Sequence, residues 1–139
     1  MYLLSTQCLL DRITGQAPAS IDALPAREIH LSAVSLGQAL LAIEQSPAGE
    51  RQGHRDALRG YVGMVRSFDN IVPFDEKAAM LWPGLRAQKL IATNPAGAVI
   101  PVSEATTMVV ASALATNLVF VDYPQPYHSG VSGLTVVNP

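Results

Sequence analysis

The stretch that decides the fold is Met1-Tyr2-Leu3-Leu4-Ser5-Thr6-Gln7-Cys8-Leu9-Leu10. Its first four residues are apolar in succession, so a strand built from them is buried on both sides of the pleat, as interior strands of parallel sheets are. Ser5 to Gln7 then break the run, and Cys8 to Ile13 read as a short helix. In open α/β sheets, ligands collect where a strand ends and the next helix starts. The strand is therefore read as the centre of a parallel sheet, and Ser5 to Gln7 as the first place to look for a site.

Working outward, strand and helix signals alternate. Gly15 to Pro25 is rich in turn residues and reads as a loop, and Glu28-Ile29-His30-Leu31-Ser32 reads as a second strand. Ser35-Leu36-Gly37-Gln38 has the Ser-x-x-Gln form of a capping box and opens an apolar helix through Ile43. Ser46-Pro47 starts a longer helix, with Leu58, Tyr61, Val62, Val65 and Phe68 at helical spacing and Gly49, Gly53, Gly60 and Gly63 weakening it. Arg51, Arg55 and Arg59 repeat every fourth residue, so they form either a solvated face or a track for a phosphate backbone. Ile71 to Phe74 contains Pro73 and suits a sheet edge, Asp75-Glu76 place two acids in the first turn of a helix through Trp82, and Pro83 kinks or divides that helix. Ala92 to Pro101 reads as a loop. Ser103 caps an apolar helix from Glu104 to Thr116, Leu118 to Val121 is an interior strand, and Leu134 to Val137 is a last one. The pattern predicts one domain over residues 1–139, a three-layer α/β/α sandwich with a mostly parallel, Rossmann-like sheet of about five strands.

Composition narrows the function classes. Of 139 residues, 49% are apolar and only 14% charged, a balance that leaves apolar surface for a partner or a second copy. A homodimer is expected. The single Cys8 cannot form an internal disulfide and reads as a small core residue, which points to a reducing cytoplasm. The first apolar run has no basic region before it and is cut by Ser5 to Gln7, so it is expected to belong to the fold and not to a secretory leader. No run reaches the ~20 apolar residues of a membrane span. A net charge of −2 gives no field that would itself hold RNA. His30 has no Cys or His at metal-ligand spacing and reads as structural.

Two passages carry a resemblance. The opening strand with Ser5-Thr6-Gln7, and the segment from Phe68 through Asp75 to Trp82, resemble the PIN-domain ribonucleases, in particular the VapC-type toxins of toxin–antitoxin pairs. The resemblance extends over essentially the whole chain. It implies a cluster of acids at the sheet mouth that holds Mg²⁺ or Mn²⁺ and activates water against an RNA phosphodiester. Carried over by position, those acids fall on Ser5, Gln38, Thr106 and Pro124, with Tyr127 where a further Asp is often found. None of the five is acidic. Asp122 is the one carboxylate left near the mouth, and Glu104, two residues before Thr106, turns away on its helix.

A charge pair ~4 Å apart is worth about 4 kcal/mol at an effective dielectric near 20, so replacing several acids leaves a divalent ion preferring water. The leading expectation is a VapC-like protein that has lost its nuclease site and works through a homodimer and through binding of an antitoxin-like protein or a nucleic acid, with the helix after Pro47 and the exposed Trp82 region as interfaces. A second reading is an active Mg²⁺-dependent endoribonuclease that draws on Asp122, Glu104 or Asp11. A third is an anion or nucleotide site built from Ser5, Thr6, Gln38, Ser103, Thr106 and Asp122, where helix N-termini and hydroxyls converge.

Overall fold

The computed structural model describes residues 1–139. Its strands and helices run β1 (Tyr2–Leu4), α1 (Thr6–Ile13), α2 (Ala19–Asp22), β2 (Ile29–Ser32), α3 (Ala33–Glu44), α4 (Ala48–Ser67), β3 (Ile71–Val72), α5 (Glu76–Ala87), β4 (Ile91–Thr93), β5 (Val99–Pro101), α6 (Glu104–Thr116), β6 (Val119–Val121) and β7 (Val136–Val137). Five strands form one sheet in the order β3-β2-β1-β6-β7, with every neighbouring pair parallel. β1 is central and β3, beside Pro73, is an edge, as the sequence predicts.

The pleat divides the core into two layers. Leu4, Leu31 and Val121 face α1, α3 and α4, where they meet Cys8, Ile43, Leu58 and Val65. Leu3 and Phe120 face the opposite way, toward Ala78, Leu85, Val109 and Val110 of α5 and α6. Both strand faces are therefore covered by helices, and each large side chain sealed there contributes roughly 1.5–3 kcal/mol. Cys8 is fully buried, as expected of a core residue.

Several local expectations change. α1 begins at Thr6, two residues earlier than predicted, because the Ser5 hydroxyl accepts from Cys8 N–H at 3.2 Å and ends the strand directly in a helix. Within Gly15–Pro25, Ala19–Asp22 forms a helical turn that seats Ile21 in the core. Ser35 caps nothing: Ser32 ends β2 and accepts from Val34 N–H at 3.1 Å, so α3 starts three residues sooner. Asp75 is likewise the cap of α5 and lies just outside its first turn, accepting from Ala78 N–H at 3.0 Å. Pro83 lies inside α5 without dividing it.

Ala92–Pro101 is not a loop. β4 and β5 pair as an antiparallel hairpin, Ile91 against Pro101 and Thr93 against Val99, closed by a turn in which Gly97 takes φ +83°. The Asn94 side chain, accepting from Ala98 N–H at 2.9 Å, holds that turn. Trp82 is half-buried and not exposed: its indole N–H donates to Thr107 at 2.9 Å and its ring packs edge-on against Phe74. No helix is long and apolar enough to cross a membrane.

Candidate functional site

The carboxyl ends of β1 and β6 open onto a cleft of about 140 Å³ lined by Ser5, Thr6, Gln7, Thr106, Asp122 and Gln125 among others. Each reaches it for a local reason. Ser5 and Thr6 stand where β1 becomes α1, and Thr106 lies in the first turn of α6. Asp122 follows β6 directly, its N–H still bonded to Val137 C=O at 3.2 Å, so the sheet fixes its position.

The hydroxyls at the mouth are used structurally. Ser5 caps α1, and Thr6 donates to the buried Ser35 at 2.9 Å, tying the starts of α1 and α3 together. Ser103 accepts from Thr106 N–H at 3.1 Å and donates to the Thr106 hydroxyl at 2.8 Å, so both serve the cap of α6.

Asp122 is 7% exposed and surrounded by donors. Its Oδ1 accepts from Tyr123 N–H at 2.9 Å, and its Oδ2 accepts from the Tyr127 hydroxyl and from His128 Nε2, each at 2.9 Å. The Tyr127 phenol is pushed far up in pKa, by burial first and then by the Asp122 charge and hydrogen bond, so it stays a protonated donor. His128 stacks edge-on with Tyr127 and Phe120, which holds its ring against the carboxylate. Beside this group, the Tyr123 hydroxyl donates to Asp11, whose other oxygen accepts from Gln7 Nε2 at 2.8 Å. Burial and Asp11 together also push the Tyr123 phenol upward.

The remaining predicted residues lie apart. Gln38 is exposed on α3 outside the cleft lining, Pro124 is exposed beyond Asp122, and Glu104 is exposed at the start of α6. Nowhere do three His, Cys, Asp or Glu side chains gather as a set that could hold a metal ion. His30 Nδ1 lies 3.1 Å from the Glu28 carbonyl, a structural contact.

No protein-family model matches the sequence, and no curated protein does. Among solved structures, the chain is similar to one in VapBC2 from Rickettsia felis bound to a DNA fragment from its promoter, with 17% identity, 99% of this chain and 98% of that one covered, and a TM-score of 0.76. It is similar to DNA-bound VapBC from Salmonella typhimurium at 16% identity, covering 99% and 96% of the two chains with a TM-score of 0.76. For FitAcB from Neisseria gonorrhoeae the values are 20%, 100%, 98% and 0.71. The chain has a PIN-like fold. The likeness extends over the whole chain, as the sequence resemblance predicts.

Within the PIN-like fold, Ser5, Thr106 and Asp122 do meet in one cleft, and Gln38 and Pro124 do not line it. Gln7 lies in the stretch that the sequence marks, whereas His128 and Gln125 escape it. The signal for His128 was present in Asp122-Tyr123-Pro124-Gln125-Pro126-Tyr127-His128, where two prolines restrict the backbone ahead of the 3-10 turn Pro126–Gly130 that returns Tyr127 and His128 to Asp122. Gln125 holds the hairpin by accepting from Thr93 N–H at 2.8 Å, a contact across 32 positions that no local pattern announces.

Proposed function

We propose that this chain is a VapC-like protein whose metal-dependent nuclease site has been replaced and that acts through protein contacts, as the toxin-side member of a toxin–antitoxin-type pair. One observation carries the reading. Where PIN nucleases present several free carboxylates, this cleft has Asp122 alone, with both oxygens already accepting from Tyr123, Tyr127 and His128. Mg²⁺ keeps several waters and is held by one or two free carboxylates, so a lone carboxylate with both oxygens engaged, beside hydroxyls and amides, does not fit Mg²⁺ or Mn²⁺.

The similar solved structures are VapBC and FitAcB complexes, the two VapBC ones bound to DNA, which supports an antitoxin-type protein as partner. Self-association into a homodimer is supported by the apolar side chains exposed on α5 and the hairpin, Met80, Leu81, Ile91, Val99 and Ile100. The buried, unpaired Cys8 agrees with a cytoplasmic setting. The nuclease alternative lacks a convergent acid set, since Asp11 is held by Gln7 and Tyr123 and Glu104 is exposed at the start of α6. The anion alternative must accommodate Asp122 within the same cleft. The deciding measurement is RNA cleavage with added Mg²⁺ or Mn²⁺, with and without chelator, beside calorimetric titration of Mn²⁺. The expected result is no chelator-sensitive cleavage and no heat of specific binding, and either signal overturns the reading.

A further inference from the structure

The α3–α4 layer carries a groove of about 240 Å³ on its outer side. Its floor is apolar, built from Leu36 and Leu40 of α3 and Leu58 and Val62 of α4, and Leu40 is 47% exposed. Its rim is cationic. The stripe seen in the sequence resolves unequally: Arg51 Nε donates to the Ser46 carbonyl at 2.8 Å and Arg55 pairs with Glu44 at 2.6 Å, so neither is free to track a phosphate backbone. Arg59 and Arg66 line the groove, are exposed and make no ion pair. Seven residues apart on a helix, they stand about 20° from one another, one above the other along the same edge.

We propose that this groove receives an amphipathic helix from a partner protein, with an apolar stripe on Leu36 and Leu40 and an acidic edge facing Arg59 and Arg66. The inference rests on the reading that the chain works through protein contacts, and it gives the partner a chemistry. Charge decides among the occupants. A second copy of this chain packing the same grooves about a two-fold axis brings Arg59 and Arg66 toward their own equivalents, which like-charge repulsion opposes. A nucleic acid would meet a leucine and valine floor with no aromatic side chain on which to stack a base. An apolar face flanked by Asp or Glu satisfies both floor and rim, as helix-in-groove recognition requires.

The test titrates the full-length, isotopically labelled chain with two designed helical peptides, followed by NMR. Both carry Leu at i, i+3, i+4 and i+7 on an alanine background, one flanked by Glu and the other by Lys. The Glu peptide is expected to shift amides of α3 and α4 and to bind at least about ten-fold more tightly than the Lys peptide. The double variant Arg59→Glu/Arg66→Glu, at exposed positions and with an unchanged circular dichroism spectrum, is expected to reverse that preference. Equal binding of the two peptides, binding of neither, shifts confined to other elements, indifference to the double variant, or displacement of the Glu peptide by a short RNA would each overturn the proposal. Its failure is separable from that of the functional reading, because peptide binding is read without any cleavage assay and cleavage without any peptide.

Discussion

At Asp122, three donors converge on one carboxylate, and the consequence is structural before it is chemical. With Asp122 removed, the Tyr127 hydroxyl and the His128 ring nitrogen lose their acceptor inside a nearly closed site. Asp122→Ala is expected to lower stability by about 2–4 kcal/mol in urea unfolding, and Asp122→Asn by less, because an amide oxygen still accepts. Tyr61 presents the opposite case. Its hydroxyl is buried with no hydrogen-bond partner while its ring lies under the Arg12 guanidinium at 5.1 Å. Burial pushes its phenol from 10.0 to about 12, with Arg12 pulling partly the other way. An unfolded chain therefore loses this proton above pH 10 while the folded chain keeps it, so the stability is complete below pH 10 and drains away as the pH climbs toward 12. Tyr61→Phe removes the unpaired hydroxyl. It is expected to raise stability at neutral pH by about 1 kcal/mol and to flatten the alkaline loss, both measurable by denaturant unfolding across that range.

At the scale of elements, the glycines of α4 and of the hairpin should respond oppositely to the same substitution. Gly60 faces open space in mid-helix, and a Cβ there would meet nothing within 4 Å. Gly60→Ala is expected to stabilise by about 0.5–1 kcal/mol through helix propensity. Gly97 also has open space around it but sits at φ +83° in the β4–β5 turn, so Gly97→Ala is expected to cost about 1 kcal/mol and to loosen the hairpin. Paired thermal unfolding curves check both. The same contrast explains which elements the sequence reveals. α4 and α6 are long enough for apolar spacing to speak, and β1 and β6 are unbroken apolar runs. The hairpin hides in the sequence because its strands have three residues each, one ends in Pro101, and Asn94-Pro95-Ala96-Gly97 has the composition of a loop. The start of α3 is ambiguous in the sequence for a related reason: Ser32 and Ser35 are equally good caps, and only the length of β2 decides between them.

At the scale of the whole molecule, the sheet order and the core can be kept while the charge at the mouth is changed, because different residues carry the two. Strand pairing and the two core layers rest on Leu3, Leu4, Leu31, Phe120 and Val121, none of which supplies a polar group to the cleft. That separation is why the fold was legible from apolar runs alone, and why the cleft was legible only as a set of positions. The proximity of Ser5 to Thr106 follows from strand order, whereas the capture of Asp122 by His128 depends on a turn with no periodic signature. The same separation makes the lost-nuclease reading testable by addition. Asp caps a helix as well as Ser does, so Ser5→Asp should be tolerated at the start of α1, and Thr106→Asp falls at a partly buried position that also lines the cleft. The double variant is expected to keep the far-ultraviolet spectrum of the natural chain and, with Asp122, to gain a calorimetric Mn²⁺ signal that the natural chain lacks. Each added carboxylate supplies an anionic oxygen donor of the kind the cleft has given up. If the natural chain binds Mn²⁺ as tightly as the double variant, the acids were not what the site lost, and the proposed function falls with that result.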